Sequence, residues 1–267
     1  MPAKRLSFTA LAITVAISLC HTNISSASDN NTPTNLTTLA NTLSSAYKSI
    51  TTTSCLIRKT VTVNGRSVRW LSRVHYKTGG YVHVDNISPA KRRIVADGKD
   101  LYYHDASQLK GYSSPIPDLD PLWTISLKNV PGTPLEHLLR LQAIPEDVLP
   151  ATTQSPLRRG YQAPKVYVVL SCDSSNRLAS IEFFTDKTMT QRTTIYRYSK
   201  FHKVSDQCWI PTLHKATTTL PGQKPSSETK RFDNLAVNKP IPKDIFNASL
   251  FFKDIKFVSD FKETLAK

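Results

Sequence analysis

Apolar and polar residues alternate with a period of two over much of this chain. The clearest case is 68–76, where Val68, Trp70, Ser72, Val74 and Tyr76 alternate with Arg69, Leu71, Arg73 and His75. That pattern predicts a strand with one greasy and one wetter face. The run before it, 56–63, is rich in β-branched residues, and Asn64-Gly65 between the two predicts a hairpin. Gly79-Gly80 turns the chain into Tyr81-Val82-His83-Val84. Two further β-prone runs flank Asp97-Gly98, which predicts a second tight hairpin with both turn residues at positive φ. Strands are expected again at 165–171, 178–184, 190–201, 208–219 and 229–238, giving nine or ten in all.

Helical spacing is rarer. Leu36, Leu39, Ala40, Leu43, Tyr47 and Ile50 recur at three and four residues and predict an amphipathic helix over 36–50. Thr133, Pro134 and Glu136 form a capping-box signature that opens a second helix over 133–143, with Leu135, Leu138, Leu139 and Leu141 on its apolar side. Residues 113–123, with three prolines and two aspartates, read as a loop, and Pro145, Pro150, Pro156 and Pro164 break the stretch beyond the second helix into loop as well. Many strands with two or three helices predict an α+β fold around one large antiparallel sheet.

The N-terminus sets the expected compartment. Lys4 and Arg5 precede an apolar run from 6 to 20, followed by Ser25-Ser26-Ala27-Ser28. This is the pattern of a secretory signal peptide, 1–28, cleaved near Ala27 or Ser28, and the run is too short for a membrane span. Cys20 follows Leu19, where lipid-attachment signals carry a small residue. The expected organisation is then a single domain over 29–250 and a C-terminal extension over 251–267, in the periplasm.

The chain has 267 residues and a formal net charge of +15. Such a charge favours anionic partners, lipid head groups among them. Most of it is scattered, as on any solvated basic surface; Lys91, Arg92 and Arg93 form the one dense run. Export argues against nucleic acid. Of the cysteines beyond the signal, Cys172 and Cys208 are the pair expected to bridge in an oxidising compartment, with Cys55 free.

Catalytic motifs are missing from the sequence: there is no nucleophile elbow, zinc-binding helix or phosphate-binding glycine loop. His75, His83 and His104 fall on predicted strands without metal-site spacing, and Asp118 and Asp120 sit in the proline-rich loop. No cofactor and no metal are expected, and the protein is read as not an enzyme. What does stand out is the supply of large apolar residues at alternating strand positions. One reading is an ordinary sheet-on-helix core. The other is a cavity lined by Trp70, Tyr76, Tyr81, Ile94, Leu101 and Tyr103, covered by helices that bring Leu39, Leu43 and Leu138. A cavity of that kind suits an acyl chain, at about 0.8 kcal/mol per buried methylene.

At several of these residues the chain resembles the periplasmic lipoprotein carriers of the LolA/LolB type. The resemblance runs through the helix from Leu36, Leu56-Ile57-Arg58-Lys59, Tyr76-Lys77 and Tyr81-Val82-His83-Val84. It is closest at Arg93-Ile94-Val95-Ala96-Asp97-Gly98-Lys99-Asp100-Leu101-Tyr102-Tyr103, and Gly132-Thr133-Pro134-Leu135 looks like the start of the family's lid helix. Where the carriers have Arg-Pro after the second long strand, this chain has Lys77-Thr78-Gly79-Gly80. The resemblance implies a strongly curved, incomplete antiparallel barrel with two or three helices over its concave side. It also implies a ligand that is an acyl chain, lipid or lipoprotein. Lys91, Arg92 and Arg93 would then meet a head group or partner, with transient membrane-surface contact. An envelope-protein interaction or sensor module on the same fold is the alternative.

Overall fold

The computed structural model describes residues 36–139, 144–149, 152, 157–163, 166–175 and 177–264; the expected signal peptide lies outside them. One curved, unclosed sheet of fourteen strands dominates. Two antiparallel meanders make it. The first comprises β1 (Thr52–Val63), β2 (Arg66–Lys77), β3 (Tyr81–Ser88), β4 (Arg92–Asp97), β5 (Asp100–Asp105) and β6 (Lys110–Pro115). The second comprises β7 (Ile144–Val148), β8 (Leu157–Ala163), β9 (Val166–Cys172), β10 (Leu178–Phe184), β11 (Arg192–Ser205), β12 (Cys208–Thr218) and β13 (Ser226–Val237). β1 and β13 pair antiparallel and weld the two meanders side by side. A short last strand, β14 (Lys256–Val258), adds to β6 in the parallel sense. Register shifts interrupt several pairings, and each such bulge bends its strand and increases twist.

The Asn64-Gly65 hairpin forms as expected, with φ of 53° and 76° and Val63 opposite Arg66. At Asp97-Gly98 only the glycine takes positive φ, 90°. The Asp97 carboxylate instead accepts the backbone N–H groups of Lys99 and Asp100, each at 2.9 Å. That side-chain bond replaces the paired positive φ values of the expected turn. Gly98 has a second reason to be glycine: a Cβ there would lie 2.9 Å from Cζ of Tyr81.

The helices differ from expectation. α1 (Leu36–Tyr47) stops before the expected residue 50; the chain turns there and buries Ile50 completely. α2 (Pro121–Lys128) stands where the loop was expected to end, with Pro121 at its first position, the one place a helix accepts proline freely. α3 (Leu135–Leu139) is shorter than expected, and 140–143 lie outside the described residues. The hydroxyl of Thr133, the expected cap, donates back to the Val130 carbonyl at 2.9 Å. β7 and β8 occupy the stretch read as proline-broken loop; Pro145 is tolerated because β7 is an edge strand. α4 (Ala248–Phe251) precedes β14.

The expected disulfide is absent. Cys55, Cys172 and Cys208 are all free and buried. β10 and β11 intervene between the strands that carry Cys172 and Cys208, whereas a bridge needs Cα atoms within about 7 Å.

Candidate functional site

Register fixes which residues share a face, because directly paired residues point the same way. One row across the first meander is Val74, Val84, Ile94, Tyr103 and Tyr112. Its neighbour is Tyr76, Val82, Ala96 and Leu101. All but Val74 of these nine side chains join one apolar cluster with Leu43 of α1, Leu127 of α2 and Leu138 of α3. Polar links tie the helical segments to the sheet. Tyr76 donates its hydroxyl to the Lys128 carbonyl at 3.2 Å, Tyr47 donates to the Trp209 carbonyl at 3.1 Å, and His137 Nδ1 sits 2.6 Å from the Tyr198 hydroxyl. Burial pushes the Tyr76 and Tyr103 hydroxyls above the ordinary tyrosine range, so both stay neutral donors.

Of the residues read from sequence as a lining, Tyr76, Ile94, Leu101, Tyr103, Leu43 and Leu138 therefore converge. The side chain of Leu39 lies outside the described residues. Trp70 shares the face but stands six residues from Tyr76, about 20 Å along β2. It packs under the ammonium of Lys59, 4.9 Å from its ring. Tyr81 does not join them. The alternation of β3 turns it to the opposite face, where its ring meets Phe246 edge-on at 5.7 Å.

Trp70 begins a polar row that sequence reading missed. It continues across the paired strands through Lys59, Lys230, His214 and Tyr198. The signal was present as Lys and His at strand positions, yet only the β1–β13 pairing, which no local pattern encodes, brings them together. Glu228 lies 3.8 Å from the Lys59 ammonium and 2.9 Å from that of Lys230. Burial alone would raise its pKa, but the two lysines outweigh that and hold it below the usual range. His214 receives the opposite treatment: burial and the nearby Lys230 charge push it down to about 3, leaving a neutral ring 3.2 Å from the Gly132 carbonyl.

The outer face carries the C-terminal segment. His83 Nδ1 lies 2.8 Å from the Ile245 carbonyl, and Phe251 packs on both His83 and the Arg93 guanidinium. Tyr102 meets Phe252 and Phe257. The chain then crosses the β6 edge, and Phe261 reaches Tyr103 and Tyr112, both 5.6 Å away on the helix-bearing face. Beside this segment opens a pocket of about 360 Å³, lined by Asp85, Asn86, Lys91, Arg92, Arg93 and His104 with Ile87, Ala106, Phe251 and Phe252. The basic triplet is thus gathered at one pocket, with its two arginines split between faces. Arg92 donates to Asp105 at 2.6 Å, and Arg93 to Asp85 at 3.1 Å. Burial works against the Asp105 carboxylate, but bonds from Ser107 and Arg92 hold its pKa low.

Among the described residues no group of three or more His, Cys, Asp and Glu side chains is arranged to hold a metal ion. His75 and His83 are ring neighbours 6.2 Å apart, and His104 bonds to the Gln108 carbonyl. Asp118 closes a short 3₁₀ turn. Burial raises the thiols of Cys55 to about 12 and Cys172 to about 11, which leaves both as poor nucleophiles. No helix among the described residues is long and apolar enough to cross a membrane.

No protein-family model and no curated protein matches the chain. Solved structures do. A LolA superfamily protein from Nitrosomonas europaea aligns over 81% of this chain and 99% of its own, at 14% identity and a TM-score of 0.50. A DUF1329 family protein from Desulfovibrio piger aligns over 82% and 99%, at 10% identity and a TM-score of 0.54. An outer-membrane lipoprotein-sorting domain from Vibrio parahaemolyticus aligns over 79% and 97%, at 11% identity and a TM-score of 0.50. The open half-barrel of this chain is the LolA-like fold.

Proposed function

We propose that this protein is a periplasmic, non-enzymatic carrier or binding protein for an acyl chain, whether of a lipoprotein or of another lipidic ligand. The observation that carries the reading is the pair of apolar rows from Val74 to Tyr112 and from Tyr76 to Leu101, packed against the apolar side chains of the helical segments. The helices cover the concave side and part to admit ligand, exchanging their own apolar side chains for an alkyl chain. Affinity is then the burial gain, about 0.8 kcal/mol per methylene, less the cost of opening. The location rests on the signal-like N-terminus. The test is native mass spectrometry of protein purified without detergent, combined with uptake of a fluorescent fatty acid. A co-purifying lipid or saturable uptake, lost in Ile94→Trp, supports the reading. A clean apo mass and no uptake by the parent protein refute it.

A further inference from the structure

The apolar face does not stop at the two rows. Ile57 faces Phe232 across the β1–β13 seam, and with Cys55 and Val74 they form a second apolar cluster. Val84 and Leu235 pack against both clusters, so the greasy surface is continuous. Two residues beyond Ile57, about 7 Å further along the same face, it ends at the facing pair Lys59 and Lys230, with Trp70 beside Lys59. Charge thus closes one end of a long apolar track.

That charge is not balanced. Among the described residues Glu228 is the one carboxylate paired with either ammonium. Two cations and one anion leave one positive charge over, and the neutral ring of His214 beside Lys230 does not change the count. The sharing is uneven as well. Lys230 holds Glu228 at 2.9 Å, while Lys59 stands 3.8 Å away, beyond hydrogen-bond reach. Trp70 supports the Lys59 ammonium instead, 4.9 Å from its ring, and leaves N–H donors unused. Both lysine side chains are 35% exposed, so a ligand can reach them. Burial, only partly offset by Glu228, nevertheless holds Lys59 below the ordinary lysine range. An added anion would relieve that penalty.

One spare positive charge suits a monoanion. A carboxylate matches it, whereas a phosphate monoester brings close to two negative charges. We propose that Lys59 and Lys230 bind the carboxylate of an unesterified fatty acid, whose alkyl chain lies along Ile57, Phe232 and Val84 towards the apolar rows. The inference rests on the carrier reading and narrows it, because an acyl chain held in an ester or amide has no free carboxylate.

The test is calorimetric titration of the full chain with dodecanoate, dodecanol and dodecyl phosphate. Dodecanoate should bind tightest, about tenfold ahead of dodecanol, the worth of one charge-assisted hydrogen bond. Lys59→Met and Lys230→Met each remove the spare charge and leave Glu228 a partner. Each should weaken dodecanoate about fivefold, the worth of one partly exposed ion pair, without weakening dodecanol. Glu228→Gln should tighten dodecanoate, which a purely structural role for the three residues would not produce. Lys215→Ala, an exposed lysine on β12, should change nothing. Retained dodecanol binding shows that each variant is folded. Equal affinity of the parent for dodecanoate and dodecanol overturns the inference and leaves the carrier reading standing. So does tighter binding of dodecyl phosphate, or full dodecanoate affinity in both lysine variants. A parent chain that binds none of the three refutes both.

Discussion

Lys59 and Lys230 face each other directly across the β1–β13 seam, and Glu228 bridges them. Like charges opposite one another on paired strands repel. One position along the seam Asp233 does the same for the facing pair Arg58 and Arg231, at 3.1 and 2.7 Å, so the junction of the two meanders relies on bridging carboxylates. Glu228→Gln should destabilise the protein by about 1 kcal/mol in dilute buffer, discounted for partial exposure. Added salt should recover most of the loss, because it screens the lysine pair. Urea titrations at two ionic strengths check this; a salt-independent loss would place the effect in packing instead.

His214 makes stability fall as the medium acidifies. Its ring is held neutral in the fold, with a pKa of about 3, and would take up a proton near pH 6.5 once unfolded. The unfolded chain therefore binds more protons below pH 6.5, and stability is present above that value and drains as pH falls towards 3. Between pH 6.5 and 5 the loss should be roughly 1 to 2 kcal/mol. His214→Gln should flatten that slope in urea titrations, whatever it does to stability at pH 7.

Asn238 ties the chain entry into β1 to the end of β13. Its carbonyl accepts the Thr51 N–H at 2.8 Å and the Thr51 hydroxyl at 3.2 Å, while its amide donates to the Ser49 carbonyl at 3.0 Å. It does so at a φ of 54°, which asparagine tolerates better than most residues. Asn238→Ala loses the bonds and meets the strain, and should cost about 2 kcal/mol. Asn238→Gly relieves the strain alone and should cost less. Thermal melts of the two variants rank them.

Gly111 marks where the tail crosses the sheet. A Cβ there would stand 2.5 Å from Cε1 of Phe257 and 3.0 Å from the Tyr103 carbonyl. Gly111→Val should loosen β14 at a cost of about 1–3 kcal/mol. Limited proteolysis should then cleave within 253–264 well before the parent chain is cut.

Native thiol labelling at pH 8 should be slow at Cys55 and Cys172, since burial holds both protonated. A reductant should leave the melting temperature unchanged. A melting temperature that drops on reduction would restore the Cys172–Cys208 bridge.

The first meander was largely legible. Alternation placed β2, and the two-residue Asn64-Gly65 signal placed its turn, because both are local properties of the chain. Proline misled at 113–164, where Pro121 starts a helix and Pro145 sits on an edge strand, positions that carry no penalty. Faces were the harder part. Tyr81 and Tyr76 look equivalent as strand aromatics, yet one residue of parity separates opposite sides of the sheet. The row from Trp70 to Tyr198 draws on residues between 59 and 230 of the sequence, so only the long-range pairing of β1 with β13 reveals it. The C-terminal segment, expected as an extension, packs on both faces because its phenylalanines at 251, 252, 257 and 261 find partners that sequence spacing does not name.

β14 lies parallel to β6, far downstream of it in sequence, and Phe257 and Phe261 grip that strand from either side. An open β edge is a template for pairing with a stranger. Its seal here comes from a segment far downstream, so a nascent or truncated chain ending before residue 256 would expose bare amides along β6 and be prone to self-association until the clasp arrived.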